Sequence, residues 1–470
     1  MNLANMPIQI VNSLREKGYI AEHIQYTFGQ GHKFQYDLDR EINLKELGGR
    51  IKAHSSVLRE YIERDFDIFH FWNRSLFYNA DYTHNTGFDI PLLKARKKKI
   101  LFRFSGFDVR LPSKDKKVNP YSPFNYGYTH KFDEKSQQKF LDFLEEYVDQ
   151  FLVQDPELQQ FCPKAKIIPR ALNLKDWKNI GIEKSDVPLI VHAPSDPLCK
   201  GTNFILKAVE DLKEEGLNFE FKLISGLTHK EAIEYYQKSD IVIDQILIGA
   251  TGVLSLEAMA LGKPVIVYLR EDLFKPFYGG ELPGINANPE NIKEVIRNTV
   301  KDYDKRKFYS ELGRATVEKH HDIDKVIDQY IDIYEKVLKS PATEPTSTRD
   351  IDYLEFQAES TQRIEMVSRA NKKKFEDVRD GKYNLALYQL RSAKKDNLEQ
   401  DSSNNRASDF VPALFDVFLP KEDYETAVKR MSPRLKLAVL SLYLPKFVVS
   451  WIKKSRKYQR ALNKYESKFN

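Results

Sequence analysis

The 470-residue chain is poor in cysteine, methionine and tryptophan, with two, five and three of each. Cys162 and Cys199 are too few for a disulfide framework and show no CxxC or Cys/His ligand spacing, which points to free thiols in a reducing compartment. Long apolar runs are missing too: none reaches the roughly 18 residues of a transmembrane helix. The opening MNLANMPIQIVNSLREKGY lacks the basic and apolar regions of a secretory signal, so export is not expected.

A strong excess of one charge is also absent, with 74 Lys+Arg against 68 Asp+Glu and a formal net charge of +6. The distribution is uneven. Residues 431–470 hold ten basic residues and one acid, a balance of +9, which leaves −3 for the rest. A nearly neutral body with a basic tail disfavours a nucleic-acid binder and directs attention to an anionic surface.

What the chain does have is 41% hydrophobic and 12% aromatic residues, enough for folded cores, and a length that suits two domains and an appendage at about 100–200 residues each. Short apolar runs alternate with helical stretches. Phe66–Phe71, Lys99–Phe104, Asp149–Val153 and Ala165–Pro169 read as strands of a first block, with helices at Asn5–Lys17 and Phe140–Tyr147. A second block has strands at Val187–His192, Glu220–Ile224, Ile241–Asp244 and Pro264–Tyr268. Its helices lie at Thr202–Glu215, Lys230–Lys238 and Ser255–Leu261, and Asp322–Lys339 is a further long helix. This alternation predicts an α/β protein with two doubly wound parallel sheets.

The expected organisation is an N-terminal domain over 1–174, a C-terminal domain over 175–339, a Pro/Thr/Ser linker at 340–349 and a helical extension over 350–470. The chain opens on a loop and helix where such domains usually open on a strand, so the edge strand is either absent or lies upstream of Met1.

Two segments carry chemistry. Cys199-Lys200-Gly201-Thr202 joins a strand to an amphipathic helix, where free N–H groups and a lysine would favour an anion such as a diphosphate. Gly249 to Ile266 is a glycine-flanked loop, a short helix and a Gly-Lys-Pro turn into a strand. There backbone can approach phosphate oxygens at Thr251, Gly252, Val253 and Leu254, and Glu257 can accept from ribose hydroxyls.

Lys200-Gly201, Ala232 to Asp240, Asp244-Gln245, Gly252 to Ile266, Gly313-Arg314 and His320-His321-Asp322 together resemble the donor-binding half of GT-B glycosyltransferases, in particular the retaining group called family 4. The N-terminal half resembles their acceptor domain more loosely, through Asn2-Leu3-Ala4-Asn5, Phe69 to Trp72, Phe104 to Arg110 and Pro169 to Asn173. The resemblance implies two Rossmann-like domains facing a cleft. A nucleoside diphosphate sugar would serve as donor substrate without metal or other cofactor, and a glycan, lipid-linked or protein acceptor would enter from the N-terminal side. It places Lys200 and Gly201 at the diphosphate, the Thr251 to Leu254 backbone at the phosphates, and Glu257 at the ribose. Asn5, Asp108 and Arg110 fall on the acceptor side, and Ser105 and His70 are the candidates for the catalytic position. His70 beside Trp72 reads equally as a satisfied core pair.

Three departures from the family pattern stand out. Gly249 replaces a glutamate eight residues before Glu257, Ser105 stands where many members have histidine, and the arginine that often accompanies the diphosphate lysine is missing from His192-Ala193-Pro194-Ser195. Gly249 and Ser105 motivate an alternative reading as a non-catalytic GT-B subunit that binds glycan or nucleotide and supports a partner enzyme. Asp65-Phe66-Asp67 fits a short metal-binding pattern but leads into a buried strand, and His320-His321-Asp322 reads as helix capping. In the tail, apolar residues from Leu435 to Ile452 are interrupted by Pro445 and followed by basic residues. That pattern reads as an interfacial helix with Trp451 at the boundary, held to anionic lipid at the inner face of the cell membrane.

Overall fold

A computed structural model describes residues 6–27, 39–43, 57, 60, 61, 63–73, 89–129 and 134–341. Asn5 and the whole of 342–470, with the expected extension and its basic tail, lie outside the described residues.

Helix Met6–Glu16 is the first described element, followed by a parallel pair of strands, β1 (Ile24–Thr27) and β2 (Arg40–Asn43). The expected first block then appears as a four-stranded parallel sheet of β3 (Ile68–Trp72), β4 (Lys99–Arg103), β5 (Gln150–Val153) and β6 (Lys166–Ile167), in that spatial order. The second block is a five-stranded parallel sheet of β7 (Leu189–His192), β8 (Glu220–Leu223), β9 (Ile241–Ile243), β10 (Val265–Val267) and β11 (Ile285–Asn286), ordered β11-β10-β9-β7-β8.

Each central strand is buried on both faces, as the continuous apolar runs require. In β4, Ile100 and Phe102 face a core containing Phe140 and Phe143, while Leu101 on the other face meets Leu152, Ile10 and Tyr330. Tyr330 belongs to helix Ile323–Lys339, which follows the second sheet in sequence yet covers the first one in space. The two chain crossings are joined to each other: the Leu172 amide donates to the His321 carbonyl at 2.7 Å and the Ile323 amide to the Leu172 carbonyl at 2.9 Å. Asp322 caps the returning helix, its side chain accepting from the Asp324 amide. In the second sheet, Val191, Val242 and Val265 line one core, and Ile190, Ile241, Ile243 and Ile266 line the other. This period of two fixes which loops emerge at the strand ends.

The basic run at Arg96 to Lys99 is largely absorbed by the fold. Lys98 pairs with Asp65, and Lys99 Nζ donates to the Ser340 carbonyl at 2.6 Å, beside the end of the last helix. No helix among the described residues is long and apolar enough to cross a membrane.

Candidate active site

The donor-side loops sit at the C-terminal ends of β7 and β9. Past β7, Asp196 caps the short helix Pro197–Lys200, which ends at Gly201 in the left-handed region (φ 78°). A Cβ on Gly201 would stand 2.7 Å from Ile246 Cγ1, so both backbone and packing require glycine here. The turn brings Lys200 Nζ to 2.6 Å from Asp244 Oδ1, just beyond β9. The other oxygen of Asp244 accepts from the Ser255 hydroxyl at 2.7 Å and the Ser255 amide at 3.3 Å. Burial alone would raise the Asp244 carboxyl; the Lys200 charge and these hydrogen bonds outweigh it and hold the group below its ordinary value.

Gly252 is the hinge of this arrangement. A Cβ there would lie 2.2 Å from Asp244 Oδ2 and 3.0 Å from Lys200 Nζ. The ion pair is therefore seated directly against the start of helix Val253–Ala260, where Asp244 takes the Ser255 amide and, among the described residues, the Val253 and Leu254 amides have no acceptor. Apolar nearly all round, the helix is buried between the sheet and helix Tyr303–His320. Gly313 permits that contact, since a Cβ would stand 2.9 Å from Met259 Cγ, and Arg314 donates to the Ala260 and Trp177 carbonyls.

Glu257, one turn into the helix, is buried with Oε1 2.9 Å from His229 Nε2. Burial raises the Glu257 carboxyl, opposed by His229, and the hydrogen bond to Glu257 raises the His229 imidazole. His229 begins helix His229–Lys238, placed by a capping box between Thr228 and Glu231. Its imidazole was not singled out by the sequence, where only its place after a cap residue marks it.

Gly249 is left-handed (φ 82°), and a Cβ would meet Arg270 Cγ at 3.0 Å and Tyr268 Cε1 at 3.3 Å. The space beside it is thus filled by Arg270, whose Nη1 crosses to Gln160 Oε1 of the N-terminal half at 2.9 Å. The same loop is fastened from the N-terminal side by Asn119, which donates to the Leu247 carbonyl at 2.8 Å, and by Tyr121, whose ring meets Tyr268 edge-on at 5.2 Å. A second fastening runs from Arg170 Nη1 to the Thr251 carbonyl at 2.6 Å.

The N-terminal candidates are placed differently from expectation. His70 is part-buried under the returning helix, with Nδ1 2.7 Å from the Tyr334 hydroxyl and its ring among Trp72, Tyr330 and Tyr334; desolvation pushes its pKa down to about 3. Its core reading therefore describes it, because mid-strand β3 faces that helix and not the strand ends. Arg110, expected on the acceptor side, is buried with Nε 3.0 Å from Glu157 Oε1 and Nη2 on Oε2. Asp108 turns back to accept from the Ser105 amide at 3.1 Å and the Gly106 amide at 2.6 Å. Burial pushes its carboxyl up to about 6, against those hydrogen bonds. Ser105 does lie at the end of β4, its hydroxyl buried without a hydrogen-bond partner among the described residues and its carbonyl accepting from Gln154 at 2.8 Å. His192, where the second family cation was missing, is a buried structural group bonded to Ile243 O and Thr202 Oγ1.

Residues 201–316, which hold β8 to β11 and the Gly252 helix, match the family Glycosyl transferases group 1. No curated protein matches the chain. Sucrose-phosphate synthase from Thermosynechococcus elongatus has a similar structure at TM-score 0.50 and 14% identity, covering 70% of this chain and 92% of that one. The catalytic domain of starch synthase IV from Arabidopsis thaliana, bound to ADP and acarbose, is similar at TM-score 0.47 and 13% identity over 72% and 96% of the two chains. Anabaena HepE in complex with UDP-glucose is similar at TM-score 0.45 and 11% identity over 70% and 94%. Residues 201–316 are a glycosyl transferases group 1 domain set in a GT-B fold, and the chain is a glycosyltransferase.

Proposed function

We propose that the protein transfers a sugar, with retention, from a nucleoside diphosphate sugar to a hydroxyl of a cell-surface glycan or a lipid-linked precursor. The observation that carries this reading is Lys200 held against the helix start at Gly252, where the Val253 and Leu254 amides have no acceptor among the described residues. Charge develops on the leaving diphosphate as the glycosidic bond breaks. An ammonium and N–H groups fixed beforehand stabilise that charge without reorganising. Asp244 positions Lys200 and, through Ser255, ties it to the same helix. Glu257, one turn further on, would accept from ribose hydroxyls, with His229 orienting its carboxylate. Gly249 supplies no side chain to the sugar, so that contact would come from the wall formed by Arg270, Tyr268 and Asn119.

A panel of nucleotide sugars assayed for hydrolysis and transfer, with Lys200→Ala and Glu257→Ala alongside, tests the reading. Turnover with one donor, lowered by both substitutions, supports it; no nucleotide binding by the intact protein, with neither substitution changing anything, overturns it.

The domain division 1–174, 175–339, 340–349 and 350–470 belongs to the same proposal and is supported by the two separate sheets; limited proteolysis should cut first within 340–349. For residues 431–470 the sequence supports contact with an anionic membrane surface from the cytoplasmic side. Sedimentation with anionic vesicles should be lost on truncation before Met431 and weakened by salt; undiminished sedimentation of the truncated chain would refute it.

A further inference from the structure

We propose that Arg170, carried by the segment linking the two domains, is the second cation of the diphosphate site. The inference rests on the donor reading above and adds a residue that enters from outside the 201–316 domain.

Lys200 alone leaves the site nearly neutral. Its ammonium is 2.6 Å from the buried carboxylate of Asp244, so the pair sums to zero charge. The helix start at Gly252 contributes only about half a positive charge. A departing nucleoside diphosphate carries at least two negative charges and needs a further full cation within reach.

Arg170 meets that need by position. Its Nη1 donates to the Thr251 carbonyl at 2.6 Å, one residue before Gly252, while Lys200 Nζ stands 3.0 Å from the Cβ position of Gly252 itself. The two cations thus flank one peptide segment from opposite domains. Among the described residues, the Arg170 guanidinium has a neutral carbonyl as its hydrogen-bond partner and no carboxylate forms an ion pair with it. Asp155 and Asp244 are near enough to act on its charge without pairing, and the residue is only partly buried, so its remaining N–H groups stay open to a ligand. Its backbone is fixed as well: the Arg170 carbonyl lies 2.8 Å from His321 Nδ1, at the point where the two chain crossings join. An arginine there can present its planar fork to a phosphate while remaining anchored to the phosphate loop. It also links closure of the two domains to occupancy of the diphosphate site, because its backbone belongs to the interdomain crossing and its side chain to the loop.

The test separates charge from anchoring. Binding of UDP, ADP and GDP, and of UMP, AMP and GMP, is measured by calorimetry for the intact protein, Arg170→Gln and Arg170→Lys. Glutamine keeps a neutral N–H donor but loses the charge; lysine keeps the charge but loses the fork. For the base that binds, Arg170→Gln should weaken the diphosphate about ten-fold or more and the monophosphate by no more than about two-fold, with Arg170→Lys recovering most of the loss. Diphosphate affinity unchanged in Arg170→Gln, or diphosphate and monophosphate falling together, would overturn the assignment while leaving the donor reading intact. Binding of no nucleotide by the intact protein would overturn both.

Discussion

At the strand ends of the second sheet, side chains are drawn together but left facing open backbone. Lys200 and Asp244 meet at Gly252, and behind them the Val253 and Leu254 amides have no acceptor among the described residues. At the strand ends of the first sheet the corresponding groups satisfy one another. Asp108 closes on the Ser105 and Gly106 amides, and Arg110 on Glu157. The same architecture is thus used in two ways, one half leaving two helix amides without an acceptor beside a buried ion pair and the other closing its loops on their own side chains. Those closed loops carry Asn119, Tyr121 and Gln160 onto the donor half at Leu247, Tyr268 and Arg270, so rigidity on one side helps shape the site on the other.

Substitutions can break this contrast. The largest effect is expected for Lys200→Ala, which should lower kcat by about 100- to 1,000-fold, the range for removing one preorganised donor. Asp244 would then be buried without its partner, so the thermal midpoint should fall as well, and kcat is compared at a temperature where the variant is folded. Arg110→Ala should change stability alone. Leaving Glu157 buried without its partner should cost about 3–5 kcal/mol of stability in denaturant titration, while nucleotide affinity at the folded protein stays as it was. A nucleotide site lost along with Arg110 would erase the distinction between the halves.

His70→Phe should cost about 1–3 kcal/mol, because the part-buried Tyr334 hydroxyl would lose its hydrogen-bond partner. Acceptor KM should not change; a raised acceptor KM would restore His70 to the cleft. The smallest effect concerns pH. The folded imidazole of His229 titrates above its ordinary value because of Glu257, so its contribution to stability is complete below about pH 6.5 and is lost as pH rises through the raised folded value. The amplitude should be no more than about 1 kcal/mol, and Glu257→Gln should flatten that part of the stability profile.

Both sheets were legible in the sequence because their strands are buried on both faces and read as apolar runs. The donor loop was legible because its glycines, its lysine and its glutamate lie within short segments. Helix Tyr303–His320 was not, since the face it buries is built from Arg306, Ser310, Gly313 and Thr316 and shows no apolar period. Arg306 donates there from Nη1 to the Thr299 and Val300 carbonyls. The acceptor side misled for a different reason. Asp108 and Arg110 are polar residues after a strand, which is where a site would be, but only the fold shows that their partners are Ser105, Gly106 and Glu157. Arg170 and His229 were missed because their importance comes from Thr251 and Glu257, 81 and 28 residues away in the chain.

The central claim is that the diphosphate is held at the start of helix Val253–Ala260 between the two halves. The most direct measurement is a crystal structure of the protein with the nucleoside diphosphate that binds it. The account predicts phosphate oxygens within hydrogen-bond distance of Lys200 Nζ and the Val253 or Leu254 amide, with the ribose at Glu257. A nucleotide seated on the first sheet, or one that leaves Lys200 and the Gly252 helix start untouched, would contradict it.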